Sequence, residues 1–154
     1  PISQGEKSRR RFERRLVSLL AQNPLSALAH ADALAQTQWH DPVNGQLADC
    51  ILKTLEADPA ASAAQVVSAA SAVVPRAAGI LTSGDVDPSK LESTVSFLTA
   101  ELELGDLEST LASMNAQLKT DSGLSEEERN IIFAAAVDLQ KTIGVKRAAH
   151  KPEL

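Results

Sequence analysis

Between residues 88 and 119 the leucines change sides. Leu91, Val95, Leu98 and Leu102 follow one another at spacings of four, three and four, and Leu104, Leu107, Leu111, Met114 and Leu118 at three, four, three and four. Each set alone is the apolar stripe of an amphipathic helix. The step of two from Leu102 to Leu104 turns a helix by about 200°, so the stripes face opposite ways. A helix over Pro88 to Lys119 would reach roughly 50 Å, too long to lie on one small bundle. The pattern therefore predicts one helix serving two packing partners, with the changeover near Gly105.

The second partner follows directly. Thr120-Asp121-Ser122-Gly123 reads as a turn. Ser125-Glu126-Glu127-Glu128 is a capping box, in which the serine caps a helix start and the third glutamate bonds back to it. Three acidic residues also suit the positive end of the new helix. That helix is expected to run to about Ile143, with Gly144 as its stop and residues 146–154 as a polar tail. A short loop between two helices makes a hairpin, here over residues 105–145.

Upstream, proline supplies the punctuation. Asn23-Pro24, Asp41-Pro42, Asp58-Pro59 and Asp87-Pro88 each pair a capping side chain with a residue suited to the first helical position. They predict helix starts, and Val74-Pro75 predicts another without the cap. The resulting helices cover about Glu6 to Gln22, from Pro24, Pro42 to Leu55, Ala60 to Ala72 and Pro75 to Leu81. A loop through Gln38, Trp39 and His40 lies between the second and third. No strand pattern emerges. Aromatics are only 3% of the chain, so Ala and Leu must fill the core, which suits closely packed helices better than sheets. The expected fold is all-α: a multi-helix bundle over residues 1–104, with a basic, linker-like start at 1–8, joined by one long shared helix to the C-terminal hairpin.

Charge is unevenly spread. The net charge is -5. The first fifteen residues carry six basic groups and two acidic ones, whereas residues 87–143 carry four basic and eleven acidic. An acidic hairpin argues against nucleic-acid binding there. The run Arg9-Arg10-Arg11-Phe12-Glu13-Arg14-Arg15 reads as a solvated helix start in preference to a nucleic-acid-facing patch.

A search for chemistry returns nothing that reads as an active site. Cys50 is the one cysteine and sits in the apolar run Leu47 to Leu52, so it reads as a structural thiol. His30, His40 and His150 lack second ligands at metal spacing. There is no Gly-x-Ser-x-Gly and no phosphate loop. The carboxylates of the hairpin fall in capping and surface positions. No catalytic residue, metal or cofactor is expected. No apolar run approaches the roughly 20 residues of a membrane span, and the polar start lacks a signal core. A cytoplasmic setting is expected, and the start at Pro1 reads as that of a piece or a processed product of a longer protein.

The final helix carries more apolar residues than a hairpin needs. Ile132, Leu139 and Ile143 fit one face, suited to packing on Leu107, Leu111, Met114 and Leu118. Phe133 and Val137 fit another, which an isolated hairpin would leave exposed, and exposed apolar helix faces usually mark docking surfaces. The candidate docking residues are Phe133, Val137, Gln140 and Ile143, with an acidic rim. Ser125 and Glu128 read as structural caps.

Two stretches carry a family resemblance. Gly123-Leu124-Ser125-Glu126-Glu127-Glu128-Arg129, opening a final helix after a long helix and a short turn, resembles the C-terminal domain of bacterial DNA primases. Leu19-Leu20-Ala21-Gln22-Asn23-Pro24 is similar to the end of that family's first helix. The resemblance covers most of the chain in helix order and length. It implies a helical bundle with a protruding hairpin that binds the N-terminal part of the hexameric replicative helicase and modulates it during primer synthesis, in the bacterial cytoplasm at the replication fork. The parent would be a DNA-dependent RNA polymerase whose catalytic domain lies upstream. Glu103-Leu104-Gly105-Asp106-Leu107 is less basic than in that family. Rival readings are the N-terminal domain of a replicative helicase, itself a bundle plus hairpin, and an unrelated helical adaptor or DNA-binding module.

Overall fold

The computed structural model describes residues 1–120 and 123–150, and these residues form an all-α chain with no strand. Asp121 and Ser122 of the expected turn, and residues 151–154 of the expected tail, lie outside the described residues. The helices are α1 (Gln4–Gln22), α2 (Pro24–Ala29), α3 (Ala31–Gln36), α4 (Pro42–Ala57), α5 (Ala63–Ser71), α6 (Ala77–Leu81), α7 (Leu91–Thr120) and α8 (Glu126–Ala149). A single 3-10 turn, Pro88–Lys90, precedes α7. The chain divides into two compact units, Pro1–Leu102 and Glu103–Leu154. The division falls inside α7, where its apolar stripe changes sides.

The first unit is built around α1, which packs on α2, α4, α5 and α6. Leu16, Val17, Leu19, Leu20 and Ala21 of α1 are buried with Leu47, Ile51 and Leu55 of α4 and Val66 and Ala70 of α5. The early stripe of α7 closes this core: Val95, Leu98 and Leu102 are at most 1% exposed. Phe97 meets Phe12 edge to face, with ring centroids 6.4 Å apart. Such pairs contribute about 1 kcal/mol beyond the area they bury.

A carboxylate sits in this core. Glu13 is fully buried and accepts hydrogen bonds from Arg9 Nε (3.0 Å), His40 N (2.8 Å), Asp41 N (3.1 Å) and Asn44 Nδ2 (3.3 Å). Arg9 also donates to the carbonyl oxygens of Leu102 (2.8 Å) and Gln38 (2.9 Å). The charge is therefore neutralised and its lone pairs are filled, which burial requires. This arrangement ties α1 to the loop before α4 and to α7. Arg9 is thus not part of a solvated run. Nor are residues 1–8 linker-like throughout, because Ser3 caps α1 and the helix begins at Gln4.

The proline marks have mixed fates. Asp41 caps α4 through Val43 N, and Asp87 caps the 3-10 turn through Ser89 N. Asn23 faces backwards: its Nδ2 donates to Leu19 O, closing α1, while Pro24 opens α2. Asp58 does not start a helix. It terminates α4, and its carboxylate turns the chain by accepting from Ala60 N. Ser62 starts α5 instead, in a capping box with Gln65. The helix expected from Pro24 is broken at His30, whose N–H goes to Ser26 O and Leu28 O. Ser26 and Ala27 then face the core, and Leu25 and Leu28 are left outside.

Gly84 is a close-approach glycine. Its N–H donates to Ser18 Oγ (2.9 Å), and a Cβ there would lie 2.7 Å from that oxygen. Gln22 reaches the same loop through Leu81 O and Gly84 O. Together these bonds fasten the segment between α6 and α7 onto α1.

Candidate functional site

The second unit is a hairpin of two antiparallel helices. Arg129 Nη1 donates to Leu118 O (2.7 Å) near the loop, and Arg147 and Lys146 pair with Glu108 and Glu103 at the far end. Sequence positions thus rise along α8 as they fall along α7. The later stripe of α7 forms the seam: Leu104 is buried, and Leu107, Leu111, Met114 and Leu118 are half-buried. From α8, Ala136 and Ile143 are buried, and Ile132 and Leu139 are half-buried. The spacing of three, four, three and four through Arg129, Ile132, Ala136, Leu139 and Ile143 puts these residues on one face.

The start of α8 is fixed locally. Ser125 Oγ accepts from Glu128 N (3.1 Å), and Glu128 Oε1 accepts from Ser125 N (3.3 Å). Its end differs from expectation. The helix runs through Gly144 to Ala149. Gly144 stops nothing because its φ is not positive, and the two ion pairs of Lys146 and Arg147 hold the extra turns down. Basic residues in a last turn also favour the helix dipole.

The proposed docking residues do not share one environment. Phe133 and Gln140 are exposed, Val137 is half-buried, and Ile143 is buried at 5% exposure. Ile143 belongs to the seam, since it lies four residues after Leu139 and seven after Ala136. Ile131, absent from the expected set, is exposed by 63%, and Phe133 by 62%. Glu126, Glu127, Asn130 and Ala134 border Ile131. The signal for Ile131 was available: one residue before the inward Ile132, it must point about 100° away. Val145 is also exposed, beyond the expected helix end.

Elsewhere, Cys50 is half-buried, and burial followed by the adjacent Asp49 charge pushes its thiol up, which disfavours the thiolate. His30 and His40 face Glu92 (2.7 Å) and Glu6 (2.9 Å) as single partners. Among the described residues no group of three or more His, Cys, Asp or Glu side chains could hold a metal ion. No helix among them is long and apolar enough to cross a membrane. Compared with protein families, with curated proteins and with solved structures, the chain matches none.

Proposed function

We propose that this chain is a non-catalytic interaction domain of a bacterial replicative primase, and that its hairpin docks on the N-terminal domain of the hexameric replicative helicase. The observation that carries the reading is the apolar surface that α8 leaves outside the seam. Ile131 and Phe133 lie on the two flanks of the helix, either side of the inward Ile132, and each leaves more than three-fifths of its surface in water. Large apolar side chains in such positions supply the anchors of helix-in-groove contacts. The choice of partner rests on the resemblance of residues 123–129 and 19–24 to primase C-terminal domains. The acidic rim of Glu126 and Glu127 would select a basic partner surface and speed encounter with it. The parent enzyme would act in the bacterial cytoplasm, with its active site in another domain.

Capture of the helicase by the full chain tests the proposal. The double variant Ile131→Ser, Phe133→Ser is expected to lose most of the binding while keeping its helical circular dichroism. A 1–104 truncation should lose binding as well. Undiminished capture by both would sink the hairpin assignment.

A further inference from the structure

A second surface lies in the first unit and is independent of the hairpin. Arg10, Arg11 and Arg14 of α1 meet Arg76, which precedes α6, around a cleft of about 590 Å³. One carboxylate, Asp41, shares the lining with these four guanidinium groups. In a chain of net charge -5, this local excess of positive charge runs against the average.

The arginines are not used up by the fold. The side chains of Arg14 and Arg76 make no hydrogen bond or ion pair among the described residues. Arg10 is paired to Glu6 through Nε, and Arg11 reaches Ser8 Oγ through one Nη. Asp41 is occupied as the cap of α4. Contrast Arg9, on the same helix, which is committed to Glu13 and to two carbonyls. Four like charges held close together repel one another, so the cleft is stabilised by whatever anion enters it.

We infer that this cleft binds a phosphate-rich anion of nucleotide size. Guanidinium forks match phosphate oxygens in bidentate fashion, and several forks at once favour a polyvalent group over a single carboxylate. The volume falls within the range of small-molecule sites, roughly 300–1,000 Å³. Val43 and Ile80 give the cleft an apolar wall, against which the ring part of a nucleotide can lie. Gly79, also in the lining, has no atom within 4 Å of where a Cβ would stand, so that part of the cleft is open. The phosphate can come from a free nucleotide or from a nucleic-acid strand.

Titration of the full chain at low ionic strength, followed by calorimetry and by NMR shifts, separates these sources and tests the inference. The probes are ATP, inorganic triphosphate, a short single-stranded oligonucleotide and penta-aspartate. ATP and triphosphate are expected to bind, and Arg14→Ala with Arg76→Ala is expected to weaken them by about tenfold or more. Arg15→Ala, an exposed change on α1 outside the cleft, should alter binding by less than about twofold. Oligonucleotide binding with the same dependence on Arg14 and Arg76, and with ATP silent, supports phosphate recognition with nucleic acid as its source. Absence of binding by every phosphate probe at millimolar concentration overturns the inference. So does binding that ignores the double variant, and so does penta-aspartate binding as tightly as ATP. Circular dichroism of the double variant checks that the fold survives, as expected for two side chains with no internal partner.

Discussion

In the bundle, Leu16, Leu20, Ile51 and Leu98 are shut off from solvent, and so is the carboxylate of Glu13. Among the described residues of the hairpin, Leu104, Asp106, Ala136 and Ile143 are buried, while most of the seam is half-exposed. The difference is one of geometry. Six helices and part of a seventh enclose a volume, whereas two helices share only a line of contact. A hairpin therefore relies more on its ends, here the capping box of Ser125 with Glu128 and the ion pairs of Lys146 and Arg147. It also leaves apolar surface such as Ile131 and Phe133 in water.

The sharpest way to break this comparison is to remove the carboxylate of the bundle. Glu13→Ala removes the carboxylate that Arg9 Nε meets and takes the acceptor from His40 N, Asp41 N and one of the Asn44 Nδ2 bonds. The expected loss is about 3–5 kcal/mol, read by urea unfolding followed by fluorescence of Trp39, the single tryptophan of the chain. A loss well under 1 kcal/mol would mean that the buried polar cluster does not hold the bundle. Next comes a matched pair on one helix. Leu98→Ala should cost about 2–5 kcal/mol, and the half-buried Leu111→Ala roughly half as much. Equal costs would erase the distinction between core and seam.

Ser125→Ala removes the cap of α8 and is expected to cost about 1 kcal/mol. Hydrogen exchange should speed up in the first turns of α8 and leave α1 and α4 unchanged. The smallest effect concerns acid. Hydrogen bonds from His40 and then Arg10 hold the Glu6 carboxyl below the usual glutamate range. A carboxyl depressed on folding stabilises the folded state above its unfolded pKa, and that contribution fades as pH falls through the folded value. Glu6→Gln should therefore flatten the acid side of the stability profile and leave the alkaline side as it is. Asp87, lowered by its bonds to Ser89, will keep part of the slope in both proteins.

The division of α7 was legible in the sequence because a period of 3.6 leaves a two-residue step nowhere to hide. The same holds for the capping box at Ser125, where three residues specify a geometry. Other features depended on contacts far along the chain. Asp58-Pro59 and Asp41-Pro42 look alike locally, yet one ends a helix and the other begins one. Gly144 carried the mark of a helix stop, and the pairing of Lys146 and Arg147 with residues of α7 overrode it. Glu13 was hidden in a run of arginines. Its place three and four residues before Leu16 and Val17, and four after Arg9, put it on the buried side of α1 all the same. Within the expected docking set Ile143 was assigned to the outer side, whereas it is buried in the seam, and the exposed Ile131 was left out.

The ion pairs that end α8 have a further consequence. Lys146 and Glu103 are each about half exposed, as are Arg147 and Glu108. Attraction between such groups is screened by dissolved ions over a Debye length of about 8 Å at physiological salt and about 3 Å at 1 M. No buried apolar residue follows Ile143 among the described residues of α8. Adding sodium chloride should therefore shorten the helix from its C-terminal end, with Gly144 as the natural point of unwinding, while the capped and apolar turns before it stay intact. Residue-resolved carbon chemical shifts along a salt titration would follow that retreat, making the last turns of the hairpin a gauge of ionic strength.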